Sequence, residues 1–416
     1  MSQLGMSRWD ERHAALSACV GAYFAVRLAQ LLVSPLVPSL RATFGVSRGT
    51  VGVILTGMWL VYACSQVPSG AAADRYGPRR VVLAALGCTT AAALALAAAP
   101  SVLAFGAFAL ALGMGAGLYY TPATALLSER FDDVGRVIGV HRMGSQAAGL
   151  VAPVLAALLG ARFGWRAAVG SGALVAAGCL AAVVLRGSAT SPSVATATDG
   201  GTTVGPRTLL GVLARPSVAF AAGLAAVGEF AALATLSFLP TFLAEHHGVS
   251  TSVAGALFGG YFLVVASLQP VSGWLSDRLG RDAVTGVLFA GGAVGYAALA
   301  VGEGLAVAGP AVILVGAAMA WGPPVQSRAV DALADAERGV GFGAVRTGYI
   351  LVGALGPAAV GGLADAAGWA VGVGLLAGML GCATVALALA HLVGHERRPP
   401  GSSTFGLFVA SDGDGT

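Results

Sequence analysis

The sequence predicts an all-α membrane protein with twelve transmembrane helices in two parallel six-helix halves. Three observations carry this. The 416-residue chain is 56% hydrophobic and 10% charged, with a mean hydropathy of +0.82, which no soluble globular domain needs. Its apolar residues fall into twelve stretches, each close to the roughly 20 residues a bilayer requires. Finally, Gly70-Ala-Ala-Ala-Asp74-Arg75-Tyr-Gly77 returns 203 positions later as Gly273-Trp-Leu-Ser-Asp277-Arg278-Leu-Gly280.

The spans lie at about 14–38, 49–70, 81–99, 102–126, 137–160, 167–185, 217–241, 251–273, 283–302, 306–326, 341–364 and 369–393. Their glycines and prolines are tolerable because neighbouring helices re-satisfy the backbone and small residues let helices approach. The five cysteines, all within apolar stretches, lack metal-ligand spacing and read as small core residues. No metal or cofactor is expected. The polar N-terminus is followed by a full-length span and no convincing cleavage site, so no removable leader is expected.

The repeat extends beyond the charged segment. Residues 57–77 align without a gap on 260–280 with ten of 21 pairs identical, and Gly45-Val46-Ser47 meets Gly248-Val249-Ser250. A second block, offset by 204, pairs Gly139 with Gly343, Arg142 with Arg346, Gly149 with Gly353, Pro153 with Pro357 and Gly164-Trp165 with Gly368-Trp369. A period near 200 is too long for a solenoid and indicates a duplicated domain.

With the N-terminus inside, inner segments hold 16 arginines and outer loops four, Arg41, Arg48, Arg162 and Arg166; there is no lysine. This positive-inside imbalance predicts both termini in the cytoplasm. Six spans per half is an even number, so the halves enter the membrane the same way round. The expected layout is a cytoplasmic N-terminus (1–13), a first bundle (14–185), a flexible linker rich in Ser, Thr, Gly and Pro (186–216), a second bundle (217–393) and a polar tail (394–416). A short surface helix is expected over 208–215.

The segment Gly70-x-x-x-Asp74-Arg75-x-Gly77-x-Arg79-Arg80, its degenerate copy around Gly273, Asp277, Arg278 and Gly280, and the six-plus-six spans resemble the major facilitator superfamily of secondary transporters. The resemblance covers the whole chain. It implies a monomer of the cytoplasmic membrane that moves a small-molecule substrate by alternating access, with a midplane site built from spans 1, 4, 5, 7, 10 and 11. Two further patterns of the family are broken, one of proton-coupled members in span 4 and one of many drug antiporters in span 5. The span 4 position for Arg is Ala109, and span 5 carries Ala152-Pro153 followed by Ala156-Ala157 where the antiporters have glycines. In the charged turns, Asp74 is expected to face the N-terminus of span 11 and Asp277 that of span 5. A carboxylate at a positive helix end stabilises by roughly 0.3–1 kcal/mol, forming a latch between the halves when the cytoplasmic side is shut.

Charges inside spans cost about 2.5–3.5 kcal/mol at a helix centre, so each needs a partner or a wet cavity. Arg27 in span 1 and Glu229 in span 7 occupy nearly equivalent repeat positions, since the offset maps Arg27 onto Phe230. Either they form a static ion pair joining the halves, or Arg27 binds an anionic substrate group while Glu229 carries a proton or competes for Arg27. Arg142 and Arg346 are repeat-matched about one turn inside spans 5 and 11; they either snorkel to the interface or make the inner cavity positive. Gln146 and Tyr349 follow them within a turn. Tyr119, Tyr120 and Trp321 are cavity aromatics or packing residues.

The leading expectation is therefore a transporter of a small organic anion by proton symport or exchange. Efflux of hydrophobic drug-like compounds and a non-transporting solute sensor are the alternatives. Scattered histidines and a single deep acid argue against an intramembrane enzyme, and no P-loop is present. No nucleic-acid partner is expected.

Overall fold

In the computed structural model, which describes residues 8–131, 133–185, 211–334 and 337–396, eleven helices are long and apolar enough to cross a membrane. They are α1 (Arg12–Phe44), α2 (Arg48–Tyr76), α3 (Pro78–Ala97), α4 (Val102–Ser128), the continuous Val134–Leu185, α7 (Pro216–His246), α8 (Thr251–Leu279), α9 (Arg281–Val301), α10 (Leu305–Asp331), α11 (Gly341–Ala367) and α12 (Trp369–Leu392). The 52 residues of Val134–Leu185 would extend about 78 Å at 1.5 Å per residue, more than twice the roughly 30 Å hydrocarbon layer. Gly164 breaks that run with φ 80° and ψ 168°, so it supplies two crossings, α5 (134–163) and α6 (165–185). Both described chain ends therefore lie on one side, the terminal end, opposite a far end. No strand occurs among the described residues. Most of the linker (186–210), the first seven residues and the tail from 397 lie outside the described residues; of the expected surface helix, 211–213 are helical.

The duplication is visible in the backbone. Gly45 and Gly248 take φ near 65°, Gly77 and Gly280 φ of 86° and 95°, Gly164 and Gly368 φ of 80° and 89°, a region that glycine enters without steric cost. Each pair holds the same place in its half. Ser47 and Ser250 cap the next helix by accepting from the amides of Thr50 and Val253.

One expectation changes. The charged segments are mostly helix, not turn: α2 continues to Tyr76 and α8 to Leu279. Ala-Ala-Ala-Asp-Arg is a helix-favouring run, and the chain reverses only at Gly77 and Gly280.

Four helices are interrupted, each just before a proline. α1 has a 3-10 turn at Ser34–Leu36 ahead of Pro38, α4 breaks between Gly117 and Tyr120 ahead of Pro122, α10 has a 3-10 turn at Met319–Trp321 ahead of Pro323, and α11 breaks between Gly353 and Gly356 ahead of Pro357. Proline disfavours the helical conformation in the residue before it and removes a donor.

Small residues set the packing. A Cβ on Gly113 would lie 2.1 Å from the Met58 carbonyl oxygen, one on Gly117 2.3 Å from that of Tyr62, and one on Gly115 2.7 Å from the Thr89 amide nitrogen. α4 thus meets α2 and α3 backbone to backbone. Gly113→Leu should cost about 3 kcal/mol, the upper end of overpacking, read as a lower melting temperature in detergent; melting with wild type would contradict this contact.

Candidate functional site

Glu229 lies midway along α7, half-buried at the junction of the two halves. Two glycines make its room. A Cβ on neighbouring Gly228 would lie 2.6 Å from the Trp321 ring, and one on Gly353 of α11 would lie 2.5 Å from the Glu229 Cγ. Trp321 in turn meets Tyr349 edge-on at 5.9 Å. The broken stretches of α10 and α11 thus flank the only acid set deep in α7.

Three arginines converge on this carboxyl. The charges of Arg346, Arg27 and Arg142 reach it, yet none forms an ion pair with it among the described residues. Arg27 donates from Nε to Ser145 Oγ at 3.2 Å and from Nη1 to Gln30 Oε1 at 2.9 Å. Its guanidinium lies 5.3 Å over the Trp59 ring. The static Arg27–Glu229 pair is therefore not formed: Arg27 is held by its own half. Arg346 crosses to the other half and lies 5.1 Å over the ring of Tyr120. Its Nε is fully buried and no described residue accepts from it. Arg142 is exposed. Tyr62 is within electrostatic reach of Arg27, Arg346, Glu229 and Tyr23. Three cations acting on one carboxylate leave an excess of positive charge around it.

The other predicted residues separate by burial. Tyr119 is fully buried; its hydroxyl donates to the Cys19 carbonyl at 2.6 Å and lies 3.2 Å from His141 Nε2. That hydroxyl has one proton, so His141 Nε2 must be the donor toward it. His141 is itself buried and stacks on Tyr23 at 4.8 Å. Tyr119 and His141 thus hold α4 and α5 against α1 behind the cavity wall. Trp321 and Tyr349 are buried, whereas Tyr120 and Gln146 are half-buried. Sequence reasoning missed Trp59, Tyr62, Gln30 and Ser145. Gln30, three residues after Arg27 on one helix face, was the one with a local signal.

At the terminal end the charged segments are disengaged across the halves. Asp74 is exposed, with no hydrogen bond or ion pair among the described residues. Asp277 pairs with Arg281 of its own half. Arg281 also reaches Asp331, and Arg328 holds Asp282, so the α8–α9 turn is tied to the end of α10. Gly70 and Gly273 serve contacts within each half: a Cβ there would meet Thr121 at 3.6 Å and Pro323 at 3.3 Å. Arg75 and Arg278 lie over the rings of Tyr76 and Trp274, and Arg79 donates to the Val183 carbonyl at 3.3 Å. Arg80 is exposed.

The far end, by contrast, is shut. Glu245 at the end of α7 accepts from Arg41 at 2.5 Å, from Arg48 Nε at 2.8 Å and from Trp369 Nε1 at 3.0 Å. Asp365 of α11 accepts the amide N–H groups of Arg48 and Gly49 at 3.1 and 2.6 Å, capping the positive N-terminus of α2 from the opposite half. Ser34 Oγ donates to the Ser237 carbonyl at 3.1 Å. A Cβ on Gly52 would lie 2.4 Å from the Pro357 carbonyl oxygen, and one on Gly149 2.2 Å from the Phe262 ring. Helices α1, α2 and α5 thus close on α7, α11 and α8.

The fold recurs in a solved structure, and parts of the sequence recur in curated proteins. A crystal structure of a bacterial homolog of the human lysosomal transporter Spinster, inward-facing and unoccupied, superposes with a TM-score of 0.79 at 18% identity, over 94% of this chain and 99% of that one. The nitrite extrusion protein of Bacillus subtilis (strain 168) is 23% identical over 266 residues, 63% of this chain and 64% of that protein. The probable nitrate/nitrite transporter NarK2 of Mycobacterium tuberculosis (strain ATCC 25618 / H37Rv) is 27% identical over 260 residues, 60% of this chain and 62% of that protein. The chain thus spans somewhat under two thirds of the length of these two relatives. The sequence model of the Major Facilitator Superfamily matches residues 19–250 and again 218–410, and the chain belongs to that family.

Proposed function

We propose that this protein is a secondary transporter that moves a small anion by alternating access, coupled to a proton on Glu229, as a monomer with both termini in the cytoplasm. The observation that carries the reading is the convergence of Arg27, Arg142 and Arg346 on one unpaired carboxyl at the junction of the halves. Ionisable groups at that depth are costly and are kept where a polar substrate or proton passes. Two relatives whose names refer to nitrite and nitrate support an anionic substrate, and the arginine imbalance supports the orientation. On that orientation the structure is inward-open: the outer end is bolted, and the Asp74 and Asp277 segments are apart at the cytoplasmic end.

A charged Glu229 repels an anion seated among the arginines, and a protonated one does not. Proton and anion therefore enter together and leave together. In proteoliposomes with an imposed pH gradient, Glu229→Gln should lose uphill anion uptake by at least about 100-fold, the scale on which a proton-transfer residue acts, while anion exchange across equal pH continues. Uphill uptake at the wild-type rate would remove Glu229 from coupling.

A further inference from the structure

We infer that Arg346, not Arg27, is the cation that grips the transported anion, and that the anion is a planar oxyanion: a carboxylate or a nitrate-like ion. This rests on the anion-transport reading above and assigns the roles within it. The two arginines look equivalent by depth and by aromatic contact, since each guanidinium lies just over 5 Å from a ring centroid. Their hydrogen bonding separates them. Arg27 has committed Nε and Nη1 to Ser145 and Gln30, so it is oriented by its own half and holds fewer free donors than Arg346. Arg346 has no described acceptor, and its Nε is buried. A buried N–H left without an acceptor is costly, and what repays it is an acceptor brought in from outside. Arg142 has no such debt, because it is exposed and water satisfies it.

The shape of the acceptor follows from the guanidinium. A cation lying over the Tyr120 ring leaves its N–H edges for groups in its own plane, and two parallel N–H bonds match the two oxygens of a carboxylate or nitrate. Arg346 lies on the helix whose Gly353 packs against Glu229 and is within electrostatic reach of that carboxyl, so an anion on Arg346 feels it. It further belongs to the second half while Tyr120 belongs to the first, so an anion seated there bears on the contact between halves. Arg27 is thus a positioning residue and Arg346 a substrate-binding one.

The test uses purified full-length protein and thermal shift with sodium nitrate, sodium acetate and, at equal ionic strength, sodium chloride as a spherical control. Wild type should be stabilised by nitrate, acetate or both beyond chloride; which salt acts tells an inorganic from an organic oxyanion. Arg346→Gln should weaken the apparent affinity by about 30-fold or more, the loss expected when one partner of a buried charged hydrogen bond is removed. Arg346→Lys, which keeps the charge but not the fork, should fall between, and it serves as the readout if the glutamine variant does not fold. Arg27→Gln should melt lower and lose clearly less anion affinity than Arg346→Gln. Equal or greater loss in Arg27→Gln, full affinity in Arg346→Lys, or chloride acting as well as the planar ions would overturn the assignment. No shift of wild type with any salt would instead sink the anion reading itself.

Discussion

Gly52→Leu should force the far end of the molecule open. The position where its Cβ would stand is 2.4 Å from the Pro357 carbonyl oxygen, 3.0 Å from the carbonyl carbon and 3.2 Å from the Ala358 Cα. All three are backbone atoms of the second half of α11, and no rotamer change relieves a backbone clash. The same contact holds a cross-half hydrogen bond, in which the Ala358 amide donates to Thr56 Oγ at 3.0 Å; that amide lies in the first turn after the α11 break, where helical donors lack partners. Overpacking at about 1–3 kcal/mol and a lost hydrogen bond of about 1 kcal/mol fall on the closed state alone. Inverting a population from 1:99 to 99:1 takes about 5.5 kcal/mol and reaching the midpoint about half of that, so the roughly 2–4 kcal/mol of this one substitution brings the balance to about the midpoint or past it. On a background without native cysteines, spin labels at Thr50→Cys in α2 and Ala366→Cys in α11 should show the longer distance as the main population. Transport should stop, because a carrier that cannot close one end cannot complete a cycle. A distance distribution identical to that without the Gly52 substitution would refute the contact's role.

Glu245→Ala should act on the same equilibrium through charge. Glu245 is the shared acceptor for Arg41, Arg48 and Trp369, and its side chain is 23% exposed, like Arg41 at 23% and Arg48 at 27%. Exposed pairs contribute about 0.2–1 kcal/mol each, so two sharing one acid come to roughly 0.4–2 kcal/mol. That is a shift of about two- to thirtyfold toward the far-open state. Arg48 retains Asp365 at 3.8 Å, so the loss is partial. Because the cluster reaches water, high salt should reproduce part of the effect in wild type and add little in Glu245→Ala. The same label pair reads both. An effect of salt equal in the two proteins would show that the cluster does not govern the far end.

The fold was legible because hydropathy and duplication are written along the chain. Stretches long enough to span a bilayer are hard to confuse with anything else. The glycine pairs at 45 and 248, 77 and 280, and 164 and 368 mark equivalent bends in sequence and backbone alike. The intramembrane charges were legible for the opposite reason: their cost makes each one conspicuous. Their bonding was not. Ser145 holds Arg27 from 118 residues away, a distance over which no local pattern speaks. Glu245 and Asp365 sit at helix ends, where acids are ordinary; only the folded chain brings them to Arg41, Arg48 and the α2 amides. The helical course of residues 70–76 was hidden by the motif's punctuation: Gly70 suggested a turn, and the alanines after it carried the helix on.

The carboxylate of Asp365 on the first amides of α2 has a consequence for sidedness. On the proposed orientation, with the far end facing outward and bolted by Asp365 and Glu245, a solute arriving outside must first draw on the rare molecules that are open to it. Its apparent affinity is lowered by that fraction, while a solute in the cytoplasm finds the site exposed and meets no such tax. The two faces of one binding site should therefore report different half-saturation concentrations in vesicles of opposite orientation, with the cytoplasmic face the tighter. The ratio between them measures the free energy of the outer bolt.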